Sequence, residues 1–276
     1  MDTVRGAFVV AQVLAITAIL LPIHLFAQWR RWPLRKRTAL AWHRATARAM
    51  GLRIRVHGEL AATSDHGVLI AANHASWLDI VALGATAPVS FIAKDEVMQW
   101  PFFGHLARWQ ESVFVTRSVR ASTRAQAETI AARLAGGDTM VLFPEGTTSC
   151  GNFLLPFKSA LFGAVGMGDG VAGVKWVQPV AIAYVGVDGI PMGRQGRPLA
   201  AWPGDVAMAP HLGRILREGR IEIAIGFADP IRVTAGTDRK RLAAEAEAAV
   251  RATFSDLLRG REPPFARGQN PLRTGP

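Results

Sequence analysis

Apolar positions fall along this chain in two rhythms, one continuous and one broken. From Gly6 to Ala27 (GAFVVAQVLAITAILLPIHLFA) no Asp, Glu, Lys or Arg interrupts the run, which as a helix is roughly long enough to cross a hydrocarbon core of about 30 Å. Pro22 and His24 near its end leave open a kinked helix or one lying in the interface plane. Arg30, Arg31, Arg35, Lys36 and Arg37 follow beside Trp29 and Trp32, a flank suited to headgroup depth at a cytoplasmic membrane face. A cleaved signal peptide would have a shorter apolar region ending at a small-residue site, whereas this one runs into QWRRW. Nothing polar marks the solvent-facing stripe that a helix packed on a soluble core would carry.

Beyond a basic helical stretch around Thr38 to Met50 the rhythm breaks into short β-rich runs alternating with helical periods. The patterns predict strands at Arg53–Val56, Val68–Ala72, Val89–Ala93, Val113–Thr116, Met140–Phe143, Val177–Tyr184 and Ile221–Phe227. Helices are predicted at Leu78–Ala85, Arg120–Ala135, Lys158–Val165, His211–Glu218 and Asp238–Leu258. Such alternation implies an α/β fold: a mixed, largely parallel sheet flanked by helices, here with an N-terminal membrane-anchoring helix. The expected organisation is an anchor and basic interfacial helix over 1–50, one enzymatic domain over 51–260, and a Pro-, Gly- and Arg-rich tail over 261–276 expected to be disordered.

Composition narrows the function classes. Half of the residues are hydrophobic and the mean hydropathy is +0.18, high for a freely soluble protein and low for one built of several charge-free spans. Lys and Arg outnumber Asp and Glu by 32 to 21, so the surface should attract phosphate-bearing partners. No helix-turn-helix, zinc-finger or RRM pattern organises those charges for bases, and no nucleic-acid partner is expected. Cys150 is the single cysteine, which rules out an intrachain disulfide and a cysteine-rich zinc site.

Two corners carry candidate chemistry. Ala71-Ala72-Asn73-His74-Ala75-Ser76-Trp77-Leu78-Asp79 follows one buried strand and opens a helix. Five residues of regular helix would rotate His74 and Asp79 roughly 140° apart, so they meet only if His74 precedes the helix and Asp79 lies in its opening turns. There a carboxylate on one imidazole nitrogen fixes the tautomer and leaves the other nitrogen to take a proton. Taken alone, the pair also reads as a helix-start histidine with a first-turn carboxylate favoured by the helix dipole. Val141-Leu142-Phe143-Pro144-Glu145-Gly146-Thr147-Thr148-Ser149 is a second strand end breaking into a turn, where Pro144 stops the ladder and Gly146 lets backbone approach a ligand. By itself it could equally be a β-turn with hydroxyl caps.

N-H-x-S-x-x-D followed about seventy residues later by F-P-E-G-T resembles the glycerolipid acyltransferase family, of the 1-acylglycerol-3-phosphate O-acyltransferase type. Lys94 after a strand, Trp100-Pro101-Phe102-Phe103-Gly104, Val113-Phe114-Val115-Thr116-Arg117 and Val177-Gln178-Pro179-Val180-Ala181-Ile182 extend the resemblance over Leu52 to Phe227. It implies that His74 deprotonates an acceptor hydroxyl, that Asp79 orients His74, and that the hydroxyl attacks an acyl thioester directly, with general-base help of about 10²- to 10⁴-fold. It further implies that Lys94 and Arg117 bind an acceptor anion while Glu145, Gly146 and Thr147 hold the acceptor. No metal or redox cofactor is implied; acyl-CoA or acyl carrier protein is the donor substrate. Many lysophosphatidate enzymes read F-P-E-G-T-R-S, whereas Thr148 occupies the Arg position here, which weakens the case for a phosphomonoester.

The expectation is therefore a membrane-associated O-acyltransferase acting on a lysolipid, lysophosphatidate first and lyso-ornithine lipid or another lysolipid as the alternative. It is expected at the inner membrane with its catalytic part facing the cytoplasm. A non-catalytic lipid-binding protein is the alternative of another class; a lipid-acting serine hydrolase lacks its G-x-S-x-G elbow. His24, His43, His57, His66, His105 and His211 show no metal-ligand spacing, Cys150 has no base in a motif of its own, and Ser76 reads as a local cap. Trp77, Trp100, Phe102 and Phe103 are candidates for an acyl groove, with core packing as the competing reading.

Overall fold

The computed structural model describes residues 2–61, 67–100, 102–115, 120–166, 176–204, 206–234 and 236–261. The chain opens with α1 (Asp2–Trp29) and α2 (Leu34–Ala49), then runs β1 (Arg53–His57), β2 (Leu69–Ala72), α3 (Leu78–Thr86), β3 (Val89–Lys94), α4 (Phe103–Trp109), β4 (Val113–Val115), α5 (Arg120–Ala135) and β5 (Thr139–Leu142). It continues with β6 (Trp176–Val187), β7 (Ile190–Pro191), α6 (Met208–Arg217), β8 (Ile221–Phe227), β9 (Ile231–Arg232) and α7 (Arg239–Leu258). The segment expected as a helix at Lys158–Val165 is instead a 3-10 stretch over Ser159–Gly166 with a kink at Phe162. So short a segment, carrying Gly163 and Gly166, gains little from α-helical propagation.

The sheet order is β1-β8-β6-β2-β5-β3-β4, with β7 and β9 paired to β6. β6, β2, β5, β3 and β4 run parallel, and β8 with β1 runs against them. The central strands β2 and β5 are buried at every position, which is why they read as unbroken apolar runs and not as alternation. Period two survives in which layer each side chain enters. Ile70, Ala72, Val141, Val180, Ile182 and Tyr184 pack under α1, α2, α3 and α6. Leu69, Ala71, Met140, Leu142, Ala181 and Ala183 pack under α5, α7 and the 3-10 stretch.

From β2 the chain passes β5 to reach β3, and from β5 it passes β2 to reach β6. Crossovers of one hand heading in opposite directions must lie on opposite faces. They leave a crevice at the carboxyl ends of β2 and β5, where ligands bind in open α/β sheets.

α1 lies along the outer helical layer and is tied at both ends. Arg5 Nη1 donates to Leu216 O at 3.0 Å at the end of α6. His24 bonds Thr38 Oγ1 at 2.8 Å and Trp109 O at 2.7 Å. Between them Trp42 Nε1 donates to Thr17 Oγ1 at 2.9 Å. The opposite side of α1 presents Phe8, Leu14, Ile19, Ile23, Phe26 and Trp29, all exposed. The helix is long and apolar enough to cross a bilayer, with a mean hydropathy of 2.3 over its most apolar window.

Candidate active site

His74 sits in the turn between β2 and α3, and Asp79 is the second residue of α3, the corner that the spacing required. His74 Nδ1 lies 2.8 Å from Asp79 Oδ2. That oxygen also accepts the N–H groups of Ala75 at 2.7 Å and Ser76 at 2.9 Å, the reach of a first-turn carboxylate back to the free donors of its own helix. With two backbone donors already on Oδ2, His74 Nδ1 is the third donor, and the lone pair of Nε2 remains available for a proton. Asp79 is fully buried while His74 keeps 17% of its side chain exposed, so only the imidazole can meet a substrate.

The remaining carboxylate oxygen is satisfied from across the sheet. Tyr184 on β6, the chain's single tyrosine, donates its hydroxyl to Asp79 Oδ1 at 2.6 Å. Burial and the neighbouring Asp79 charge push the Tyr184 phenol well above its ordinary range, so it stays a donor. Asn73 fixes the other end of the corner: its side chain donates to Ile182 O at 3.0 Å and accepts from Ile182 N at 2.7 Å, a two-point clamp on β6. Neither contact was expected from the sequence. The available signal for Tyr184 was a hydroxyl standing in register with Val180 and Ile182 on one apolar face of a strand.

Glu145 is 1% exposed. Its two oxygens accept the backbone N–H of His74 at 3.1 Å and of Leu155 at 3.3 Å, so it bridges the turn after β2 to the loop after β5. Burial pushes its carboxyl up to about 8, against the pull of those two N–H donors. Ser149 N–H donates to His74 O at 2.8 Å and Trp202 N–H to Ala75 O at 2.6 Å, so the loop after β5 and the segment before α6 both converge on the histidine turn. The His74 ring stacks on Phe143 with centroids 4.0 Å apart, and Phe143 stacks in turn on Phe91 at 6.2 Å.

The other expected site residues are placed unequally. Gly146 adopts φ +68° and closes a turn through its N–H to Phe143 O at 3.0 Å, the conformation for which glycine is suited. Thr147 is exposed, with its hydroxyl 3.0 Å from where a Cβ on Gly204 would stand. Lys94, half-buried, ends β3 at the same sheet edge as His74 and Glu145. Arg117 lies outside the described residues. Ser76 is fully buried and accepts the Leu78 N–H at 3.4 Å, a local contact. Trp77 is buried beneath α6 with its Nε1 donating to His211 Nδ1 at 3.0 Å, whereas Trp100 meets Trp202 edge-on at 5.7 Å and Phe102 is exposed. A hollow between α1, α2 and α4 has none of these site residues in its lining.

A buried carboxylate that accepts four donors, one of them the ring of an accessible histidine, can hold a general base in one tautomer beside an open crevice. The acyltransferase family profile matches residues 53–183. The lyso-ornithine lipid O-acyltransferase of Brucella abortus (strain 2308) is 50% identical over 268 residues, spanning 96% of this chain and 99% of that one. The chain belongs to the acyltransferase family. The 1-acyl-sn-glycerol-3-phosphate acyltransferase of Neisseria gonorrhoeae is 35% identical over 80% of the chain and 82% of its own length. The crystal structure of the 1-acyl-sn-glycerophosphate acyltransferase PlsC from Thermotoga maritima superposes with a TM-score of 0.61 over 93% of this chain and 98% of that one, at 23% identity. This acyltransferase is thus an enzyme acting on lysolipids, with a mostly parallel sheet of the PlsC type and an apolar N-terminal helix compatible with membrane association.

Proposed function

We propose that this acyltransferase esterifies the free hydroxyl of lyso-ornithine lipid with a fatty acyl group from an acyl thioester, acyl-CoA or acyl carrier protein. The observation that carries the acceptor is the 50% identity, end to end, with an enzyme of that name. Lysophosphatidate, the acceptor first expected, becomes the second reading; it rests on the 35% identity with an enzyme acting on that lipid. Thr148, which brings no guanidinium to the turn after β5, also favours an acceptor without a phosphomonoester.

In the proposed reaction His74 Nε2 takes the hydroxyl proton as the acceptor oxygen adds to the thioester carbonyl carbon. Collapse of the adduct breaks the C–S bond, and the departing thiolate receives the proton from His74. Asp79 holds the tautomer and offsets the imidazolium charge. Glu145, enclosed and bound by two backbone N–H groups, acts by fixing the His74 turn. Gly146 and Thr147, at the rim, hold the acceptor, and Lys94 with Arg117 offers positive charge to substrate anions.

We place α1 and α2 at the cytoplasmic face of the inner membrane as the anchor, with the transferase domain from residue 51 onward. Ties at both the Arg5 and the His24 end of α1 favour a helix lying in the interface with its exposed apolar row in lipid, since a spanning helix would carry one of those contacts away from the domain. The acceptor is tested by offering lyso-ornithine lipid and lysophosphatidate together in mixed micelles to the purified full-length protein. A higher kcat/KM for lyso-ornithine lipid is expected, and preference for lysophosphatidate would overturn the assignment.

A further inference from the structure

Beside the histidine turn lies a cation that no role above uses. The chain between β7 and α6 folds back over the loop after β5 through a turn in which Gly196 N–H donates to Gly193 O at 3.0 Å and Arg197 N–H to the same oxygen at 3.2 Å. Ala200 and Ala201 are then buried and Trp202 bonds Ala75 O at 2.6 Å. Gly151, at φ +76°, marks the meeting point: a Cβ there would stand 3.5 Å from Ala201 Cβ, 3.8 Å from Arg197 Cβ and 3.9 Å from Ala75 Cβ. The stem of Arg197 and the residue following His74 therefore share one neighbour.

The Arg197 head is oriented but not neutralised. Nη1 donates to Asn152 Oδ1 at 3.0 Å, and Asn152 Nδ2 donates to Arg194 O at 2.9 Å, so one asparagine fixes both the guanidinium and the segment that carries it. Nε is buried without a hydrogen-bond partner. Among the described residues no carboxylate pairs with Arg197, whereas Arg35, Lys36 and Arg133, at the opposite sheet edge, are all matched with Glu111 or Asp138. Burial pulls the Arg197 guanidinium below its ordinary range with no facing charge to raise it. A guanidinium with five N–H donors, one described acceptor and no facing carboxylate keeps donors free for an anion.

We infer that Arg197 is an anion-binding residue of the acyl-transfer site, receiving a carboxylate or phosphate oxyanion of a substrate bound against His74. This rests on the proposed acyl transfer. A planar guanidinium held by Asn152 suits such a group through paired hydrogen bonds. Two sources could supply the oxyanion: the amino-acid carboxylate of the acceptor's head group, or a phosphate of the thioester donor.

The test uses the full-length protein in mixed micelles, as wild type, Arg197→Gln, Arg197→Lys and, as a charge control, Arg214→Gln on the exposed side of α6. Initial rates are measured against the mole fraction of lyso-ornithine lipid at saturating acyl-CoA, and then with the two roles exchanged. Arg197→Gln is expected to raise one KM about 10- to 100-fold and leave the other unchanged, with Arg197→Lys between it and wild type and Arg214→Gln at wild type. A rise confined to the acceptor assigns the oxyanion to the head group; a rise confined to the donor assigns it to a donor phosphate. If both KM values stay put, or if only kcat falls, the assignment is overturned. Should wild type use lysophosphatidate and refuse lyso-ornithine lipid, the proposed acceptor fails while the same series on lysophosphatidate still decides Arg197. Should Arg197→Gln fail to fold, Arg197→Lys carries the comparison, because it keeps the charge and removes the fork.

Discussion

Removing one oxygen atom from Tyr184 isolates how much the site depends on a fully satisfied Asp79. In Tyr184→Phe the ring and its packing beneath the outer helices remain, and the loss is the hydroxyl that donates to Asp79 Oδ1 at 2.6 Å. Asp79 is fully buried, so no water replaces the donor at the surface. A hydrogen bond to a charged group of this kind contributes about 1.5–3 kcal/mol. For a chain of this length a loss near 2 kcal/mol lowers Tm by roughly 4–8 °C. Three donors still hold Oδ2, so His74 keeps its tautomer, but the carboxylate that orients its ring is held less firmly. A fall in kcat of about tenfold, equivalent to roughly 1.4 kcal/mol in the transition state, is expected with acceptor KM unchanged. Thermal unfolding in detergent and initial-rate kinetics on the same preparation measure both. Wild-type Tm and kcat in the variant would refute the reasoning, because the hydroxyl would then carry no weight in the Asp79 cluster.

Other consequences follow from the same contacts. Glu145 is pushed up to about 8 in the folded protein from an ordinary glutamate value of 4.5, so between those values the folded state holds a proton that the unfolded state releases. Folding stability should therefore fall, by a few kcal/mol in order of magnitude, as pH rises from 4.5 through 8, and denaturant unfolding should find that slope flattened in Glu145→Gln. A Cβ on Gly84 would stand 2.6 Å from the buried His43 ring; Gly84→Ala should cost about 1–3 kcal/mol in unfolding experiments while the kcat of the folded fraction is kept. Leu14 and Ile19 are exposed on the apolar row of α1, and each side chain gains about 1.5–3 kcal/mol on leaving water. Replacing both with Asp should move the protein from the pellet to the supernatant in vesicle sedimentation.

What was legible in the sequence was local. The strands flanking the site are continuous apolar runs closed by turn residues, and the His74 to Asp79 spacing dictates a loop-to-helix corner that the structure supplies with a 2.8 Å contact. The N-terminal run likewise announced its helix. What stayed hidden depends on strand order. Tyr184 lies 105 residues from Asp79, and only the placement of β6 beside β2 brings them together; in the sequence it is one more aromatic in a β-rich run. Glu145 reads as a polar group free to hold a substrate, yet the loop after β5 folds back so that Leu155 and His74 occupy its oxygens. Arg197 sits in a segment with no periodicity, and it comes near Ala75 only because that segment folds back onto Gly151 and the histidine turn. Arg117, legible as a motif residue, falls outside the described residues.

Transfer of a labelled acyl group from acyl-CoA to lyso-ornithine lipid by the purified protein, wild type beside His74→Ala, decides whether His74 is the general base. The proposed mechanism predicts labelled diacylated lipid from wild type and a rate about 10²- to 10⁴-fold lower in the variant, both assayed below the variant's unfolding temperature. Transfer by His74→Ala at the wild-type rate would contradict it.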